Sequence, residues 1–327
     1  MIDRRAFLLA GGALAASLAL PTALFARDPD GYAPPDLEKM VPVEGGRVYV
    51  RVNGDLRGPK PPIVMLHGGP GGTHAHFLTA LALANERAVI LYDQLDSGQS
   101  DRPNDPKNWR VARFVDEAEL VRKALGVDRW HLLGHSWGGT LALEYGARRP
   151  AALRGLALAS PLVSTRSWIA DANALRGSLP APIQAEIAQC DTAPGPVCDA
   201  GTNAFYRAFN GREPATIPAM AYARAHPGGF NPKLYNAMWG ASEFVSTGSL
   251  KDYDGEPLLA KLDGKRTLFI GGQYDEARPA TLAGFAARVP GAEFATVPGS
   301  AHGLFSDRPQ ETIALVRAWL ARQDALA

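Results

Sequence analysis

The sequence has almost no net charge, because its 34 lysines and arginines are balanced by 33 aspartates and glutamates in 327 residues. A protein that holds nucleic acid or an anionic membrane through bulk electrostatics carries an excess of basic residues, so we expect neither partner. Runs of like charge and internal repeats are also missing from the sequence. The composition is 46% hydrophobic, which is ordinary globular usage at a length that suits one large domain or two smaller ones.

Cysteine is scarce, and the two cysteines, Cys190 and Cys198, lie close together on either side of a segment that contains proline and glycine. In a cytosolic protein such cysteines are expected to stay unpaired, whereas in an oxidising compartment they are expected to form a short-loop disulfide. Neither a histidine nor a further cysteine lies nearby at the spacing of metal ligands. We therefore expect a disulfide if the protein is exported, and no metal ion.

Export is indicated by the N-terminus, where Arg4 and Arg5 precede an apolar stretch rich in alanine and glycine. Paired arginines before such a stretch resemble a twin-arginine export signal, which directs a folded protein out of the cytoplasm. A membrane anchor or a buried helix is the alternative, but the apolar stretch is short for a bilayer span. We assign residues 1–26 to the signal, with cleavage after Ala26, and expect a periplasmic or secreted protein without membrane attachment after signal removal.

Short apolar runs alternate with helical patterns along most of the remaining chain. The runs occupy residues 62–66, 87–92, 130–133, 156–159, 266–270 and 293–297, and the helical patterns 109–125, 140–148, 279–288 and 310–325. This alternation predicts an α/β fold with a mostly parallel central sheet flanked by helices. Residues 164–254 contain helical fragments without strand runs, so we expect a mainly helical cap inserted between strands of a core formed by 27–163 and 255–327. Such a cap would cover the C-terminal edge of the sheet, where open α/β sheets bind ligands.

A catalytic serine is indicated at residues 134–138, whose sequence GHSWG has the G-x-S-x-G form. The motif follows a predicted strand and precedes a predicted helix, which is the context that a nucleophile turn requires. Ser136 needs a base to take its proton and an acid to orient that base, and in this fold the acid comes before the base along the chain. Asp275 follows a late strand and His302 follows the last one, so we assign these roles to them, with Glu276 as the nearest competitor of Asp275.

An oxyanion hole is predicted from two backbone N–H groups. One belongs to Trp137, the residue after the nucleophile, and the other to Gly69 in the glycine-rich loop that follows the strand at 62–66. Glycines in that loop would allow the backbone to approach a substrate closely. A tight turn without a ligand is the alternative for Gly69.

Three motifs together resemble the proline iminopeptidase family, namely HGGPG at residues 67–71, DQLDSGQS at 93–100 and GHSWGG at 134–139. The resemblance extends over essentially the whole chain after the signal, and it implies a serine peptidase of the α/β-hydrolase fold without a metal or organic cofactor. Two positions depart from the family pattern, since Leu95 stands where arginine is frequent and Asp96 where glycine is usual. Asp96 would lie beside the active-site entrance, where it would either favour a cationic substrate or remain a solvated loop residue.

Residues 238–244 and 247–254 resemble the cap segment of the tricorn-associated aminopeptidase branch of that family. In those enzymes a glutamate matching Glu243 binds the free α-amino group of the substrate, a role that suits a carboxylate held beside the nucleophile. A solvated glutamate on the cap surface is the alternative. A second acid often shares the task, and Glu213 is a candidate only because it belongs to the predicted cap.

The expected function is therefore an exported serine aminopeptidase that releases N-terminal residues, often proline, through an acyl-enzyme. Its expected partners are short peptides or aminoacyl amides as substrates. A carboxylesterase or lactonase on the same scaffold is the alternative, and Glu243 would then have only a structural role. The sequence leaves the oligomeric state open.

Overall fold

The computed structural model describes residues 31–191, 196–226 and 228–326. The expected export signal, residues 1–26, lies outside these described residues. Among the helices of the described ranges, none is both long and apolar enough to cross a membrane.

Eight strands form one sheet in the described part of the chain. They are β1 (Leu37–Val43), β2 (Gly46–Asn53), β3 (Ile63–Leu66), β4 (Val89–Tyr92), β5 (Trp130–His135), β6 (Leu153–Ala159), β7 (Thr267–Gly272) and β8 (Glu293–Val297). Their order across the sheet is β1-β2-β4-β3-β5-β6-β7-β8. The pairs β1–β2 and β2–β4 are antiparallel, and all other neighbours are parallel. The predicted α/β-hydrolase architecture, a mostly parallel sheet flanked by helices, is confirmed.

Helices cover both faces of this sheet. The helices of the described residues are α1 (Val111–Ala124), α2 (Trp137–Ala147), α3 (Thr165–Arg176), α4 (Ala181–Ala188), α5 (Pro196–Phe209), α6 (Ile217–Ala225), α7 (Pro232–Met238), α8 (Pro279–Ala287), α9 (Leu304–Asp307) and α10 (Pro309–Asp324). Helices α1, α2 and α8 pack on one face. The opposite face is covered by α9, α10 and the 3-10 segment His74–Leu83.

The strands read as uninterrupted apolar runs because each face of the sheet has its own hydrophobic core. In β3, Val64 and Leu66 belong to the core under α1 and α2, whereas Ile63 and Met65 belong to the core under α10. Successive side chains of a strand point to opposite faces, so a strand covered on both sides needs apolar residues at every position. This is why the sequence pattern alone locates the central strands.

The cap contains helices α3 to α7 and enters and leaves the core at one point, where an isolated antiparallel bridge joins Ser164 and Asp254. It has a small core of its own, formed by Ala172, Ile187, Phe205 and Phe244. Cys190 and Cys198 form the expected disulfide within the cap, with their Cα atoms 4.9 Å apart.

The sequence also has strand character at residues 47–52, which predicts β2 as the first strand, whereas β1 precedes it in the structure. Residues of β1 pair in register with β2, from Val43 opposite Gly46 at the turn to Leu37 opposite Val52. Most of its side chains are exposed and only Val41 is fully buried. A solvent-facing edge strand does not need the continuous apolar run that marks the central strands, so the sequence pattern did not reveal it.

Candidate active site

Ser136 lies in a sharp turn between the end of β5 and the start of α2. Its backbone adopts φ 57° and ψ −122°, a strained combination for a residue with a side chain. A Cβ atom on Gly138 would lie 2.0 Å from the carbonyl oxygen of Leu66, so helix and strand approach this closely only because the position is glycine. The turn places Ser136 in the wall of a cavity of about 610 Å³ between the sheet edge and the cap.

The structure brings Asp275 and His302 together as the sequence predicts. Nδ1–H of His302 donates to Oδ1 of Asp275 at 2.8 Å. The Asp275 carboxylate also accepts from the backbone N–H groups of Gly272 and Ala277, at 3.0 and 2.9 Å, and from the hydroxyl of Ser160. These donors hold the carboxylate in one orientation, and it in turn fixes the tautomer of His302 that leaves Nε2 for the chemistry. Asp275, and not Glu276, therefore orients the imidazole.

His302 is buried between two carboxylates. Burial by itself lowers the pKa of an imidazole, because it disfavours the charged form. The charges of Asp275 and Glu276 outweigh the burial and raise the pKa of His302 to about 9. Nε2 of His302 lies 3.6 Å from Oε1 of Glu276. The site therefore favours the imidazolium form of His302 when no substrate is bound.

Two neutral histidines pack beside the catalytic one. Nε2–H of His135 donates to the carbonyl oxygen of His302 at 2.8 Å, and the two ring centroids are 4.5 Å apart. His76 stacks on His135 with a centroid distance of 4.4 Å. Burial, followed by repulsion from the neighbouring imidazoles, lowers the pKa of both, to about 4 for His76. The pair thus supports the His302 backbone without adding positive charge.

The two residues predicted to form the oxyanion hole both reach this site. Trp137 is the first residue of α2, and Gly69 lines the same cavity as Ser136. Neither of their backbone N–H groups donates a hydrogen bond to another described residue. A Cβ atom on the adjacent Gly68 would lie 3.0 Å from that of Ser136, so the loop passes close to the nucleophile. Two free N–H groups there can stabilise a developing oxyanion.

One side chain connects the three sequence motifs. Nε2–H of Gln94 donates to the carbonyl oxygen of His67 at 2.9 Å, and its backbone N–H donates to Nε2 of His67 at 3.0 Å. Oε1 of Gln94 accepts from the indole N–H of Trp137 at 2.9 Å. The glutamine therefore fixes the HGGPG loop and the nucleophile turn relative to each other.

Hydrogen bonds also fix the cap relative to the core. The hydroxyl of Tyr222 in α6 donates to Nε2 of His74 at 2.6 Å, and Nδ1–H of His74 donates to Asp93 at 2.9 Å. At the end of α5, the carbonyl oxygen of Phe209 accepts from the backbone N–H groups of His302 and Glu276, both at 3.1 Å. The cap therefore helps to place both the base and the acidic residue beside it.

Glu243 lies in the cavity wall and is not a solvated surface residue, since only 7% of it is exposed. Its Oε1 accepts from the hydroxyls of Tyr206, at 2.8 Å, and Tyr235, and its Oε2 accepts from the indole N–H of Trp168 at 3.3 Å. Burial and the charge of Glu243 raise the pKa of both tyrosines, so they remain protonated donors. The carboxylate is thus held in a fixed position beside the catalytic residues.

The structure places Glu213 outside the cavity. Its carboxylate pairs with Arg308 at 2.7 Å, and 44% of its side chain is exposed. The second acid in the cavity wall is Glu276, which is 4% exposed. Oε1 of Glu276 accepts from Nδ2–H of Asn210 at 2.7 Å, and no described residue hydrogen-bonds to its buried Oε2.

The predicted second acid, Glu213, belongs to the cap, whereas the second acid in the cavity wall comes from the core. Burial raises the pKa of Glu276 to about 8, since the charge of His302 opposes the rise while the charges of Glu243 and Asp275 add to it. The available signal was its position directly after Asp275, because a loop that presents one carboxylate to the site can present its neighbour as well.

Neither expectation for Asp96 holds. The residue is fully buried, and its carboxylate accepts from the backbone N–H of Asn104 at 2.7 Å and the indole N–H of Trp109 at 2.8 Å. Its positive φ of 66° places it in a region where glycine is more usual. Leu95 is also fully buried. Both departures from the family pattern are therefore accommodated inside the loop, and neither faces a substrate.

Comparison with known proteins agrees with this geometry. The sequence model of the α/β hydrolase fold family matches residues 61–309. A proline iminopeptidase from Heyndrickxia coagulans is 36% identical over 86% of this chain and 98% of its own length. The chain belongs to the proline iminopeptidase family of α/β hydrolases.

Two further members support the assignment. The proline iminopeptidase of Levilactobacillus brevis is 35% identical over 88% of this chain and 97% of its own length. The crystal structure of a proline iminopeptidase from Mycobacterium smegmatis superimposes with a TM-score of 0.78 at 32% identity, covering 89% of this chain and 99% of that one. The enzyme is thus a proline iminopeptidase-like serine hydrolase, as its motifs predict.

Proposed function

We propose that this enzyme is an exported serine aminopeptidase that releases N-terminal residues, often proline, from short peptides or aminoacyl amides through an acyl-enzyme. One observation carries the proposal: two buried carboxylates, Glu243 and Glu276, line the same cavity as Ser136. Buried carboxylates favour a cationic partner. The cation closest to a scissile carbonyl in a peptide is the α-ammonium of the N-terminal residue.

The proposed reaction begins with attack of Ser136 Oγ on the substrate carbonyl carbon, while Nε2 of His302 takes the hydroxyl proton. The backbone N–H groups of Gly69 and Trp137 stabilise the oxyanion that forms. His302 then donates its proton to the leaving amine, and the acyl group remains on Ser136. Water, activated by His302, releases the free amino acid and restores the serine.

Recognition of the amino end explains why such an enzyme would act only at the N-terminus. Glu243 reaches the cavity from the cap and Glu276 from the core, so an ammonium between them would contact both parts of the fold. An acetylated or internal residue offers no positive charge and would bury Glu243 without a cationic partner. The penalty for an unpaired buried charge then acts against these substrates.

The test compares proline and alanine arylamides that carry either a free or an N-acetylated amine, with simple acyl esters assayed alongside. We expect the free-amine arylamides to be hydrolysed and their acetylated forms to be poor substrates. If acetylation makes no difference, or if only the esters are hydrolysed, the aminopeptidase proposal is refuted and a carboxylesterase or lactonase is favoured.

Export is the second part of the proposal and depends on the sequence of residues 1–26, which resembles a twin-arginine signal. The disulfide between Cys190 and Cys198 is consistent with an oxidising compartment. Replacing Arg4 and Arg5 with lysine should retain the protein in the cytoplasmic fraction of a host with this export pathway. Unchanged export of this variant would refute a twin-arginine route.

A further inference from the structure

The base of the triad lies in the same cavity as the nucleophile and beside a carboxyl group. Nε2 of His302, the atom that must accept the serine proton, lies 3.6 Å from Oε1 of Glu276. Ser136 and His302 both belong to the residues that the structure describes, and no hydrogen bond joins the Ser136 hydroxyl to Nε2 of His302. The free enzyme therefore directs the reactive nitrogen of its base towards the Glu276 carboxyl group. Burial raises the pKa of Glu276 and the charge of His302 lowers it, so the two groups compete for one proton. That proton keeps Nε2 from accepting the serine hydroxyl.

We propose that the α-ammonium of the substrate converts His302 into a base by taking over Glu276 as its counter-ion. In the free enzyme Glu276 holds the proton on Nε2 and keeps His302 inactive. Binding of the ammonium beside Glu276 neutralises that carboxylate, and His302 loses its proton to solvent. This inference rests on the proposed function, and it makes the amine a requirement for catalysis as well as for binding.

The groups around His302 allow such a switch. Asp275 holds Nδ1 throughout, so only the Nε2 side changes its partner. Glu243 adds negative charge from the cap. Asn210 bonds to Glu276 but carries no charge. Two histidines also lie near His302, namely His135 of β5 and His76, which stacks on His135. Burial lowers the pKa of both and keeps them neutral. None of these described neighbours supplies a cation, so an entering ammonium meets no competing positive side chain.

Proton and charge are balanced in this scheme. The ammonium enters with its proton and keeps it, while the imidazolium of His302 gives one proton to water. Afterwards the Glu276 carboxylate faces the ammonium, and neutral Nε2 can accept the hydrogen bond of the Ser136 hydroxyl. The charge of the site is unchanged, because one cation replaces another. Burial strengthens the exchange, since neighbouring charges interact more strongly away from water.

The switch can be measured through the pH dependence of the hydrolysis of a substrate that has no amine. For p-nitrophenyl acetate, kcat/KM reports the ionisation of His302 in the free enzyme. We expect it to rise with pH towards about 9, where the pKa of His302 lies. In Glu276→Gln we expect this rise at lower pH, so that hydrolysis at pH 7 becomes about tenfold faster for each unit by which the pKa falls.

A matched control separates this effect from a general change of charge. Glu213→Gln makes the same chemical change on the exposed glutamate that pairs with Arg308, and its pH profile should superimpose on that of the wild type. Glu276→Gln should meanwhile lose activity on the proline arylamide. If its ester profile instead coincides with the wild-type profile, Glu276 only anchors the amine and the switch is refuted.

A second measurement does not depend on the folding of Glu276→Gln. Binding of L-prolinamide to Ser136→Ala, which cannot hydrolyse it, is followed by calorimetry in buffers of different ionisation enthalpy. We expect release of close to one proton per ligand at pH 7. Binding without proton release would overturn the switch but not the aminopeptidase assignment, whereas absence of binding would count against the proposed function itself.

Discussion

Replacing Glu243 with glutamine removes one negative charge from the cavity with little change in shape. The hydroxyls of Tyr206 and Tyr235 both donate to Oε1 of Glu243, whereas Oε2 accepts only from Trp168 at 3.3 Å. An amide oxygen at the Oε1 position keeps both tyrosine bonds, and the variant loses only the longer bond. We therefore expect Glu243→Gln to fold, with thermal unfolding close to that of the wild type.

The expected loss of activity follows from the charge alone. Removing one partner of a buried, hydrogen-bonded charge pair costs roughly 2–5 kcal/mol. Glu276 remains in the cavity to hold the ammonium, so we expect the lower end, roughly 2–3 kcal/mol. At about 1.36 kcal/mol for each factor of ten, this is about a 30- to 160-fold loss of kcat/KM for a free-amine substrate.

The assay compares kcat/KM for a proline arylamide with kcat/KM for an acetyl ester in the same preparation. The arylamide value should fall by the stated factor, and the ester value should change far less, because the ester has no amine to bind. Glu213→Gln serves as the control and should affect neither substrate. An equal loss on both substrates, or an unchanged arylamide value, would refute the assignment of Glu243 to the amino group.

Three further outcomes are expected. Ser136→Ala should reduce turnover of every substrate by at least about 10⁴-fold without weakening ligand binding, measured by steady-state kinetics and calorimetry. Gly138→Ala should lower the melting temperature or prevent folding, because its Cβ would lie 2.0 Å from the carbonyl oxygen of Leu66. Reduction of the Cys190–Cys198 disulfide, which spans 8 positions, should destabilise the cap by about 2–3 kcal/mol. Mass analysis verifies the reduction, and the loss of stability should appear as an earlier unfolding transition. An unchanged transition on reduction would contradict the last expectation.

Local sequence patterns are sufficient to predict most of the fold. The central strands are buried on both faces, so each one appears in the sequence as a continuous apolar run, and their alternation with helices predicts a parallel sheet. Strand β1 has no apolar run in the sequence, because its side chains are mostly exposed and its place depends on backbone pairing with β2. Backbone pairing leaves no mark in a hydrophobic pattern.

The candidate site likewise has residues that the sequence predicts and features that it does not. Ser136, Asp275 and His302 could be named from the sequence, because each follows a strand of a parallel sheet and the carboxyl ends of such strands share one edge. The buried environment of Asp96 could not be predicted from the sequence, because its hydrogen bonds with Asn104 and Trp109 depend on how the loop folds.

The sequence by itself determined the sheet, the nucleophile turn and the order of the triad, because these depend on patterns within short segments. Only the tertiary structure decided which acids share the cavity with Ser136. Glu213 belongs to the cap in sequence yet pairs with Arg308 at the surface, while Glu276, from the core, lies 3.6 Å from His302. Distances between segments far apart in the chain arise from packing, and no local pattern records them.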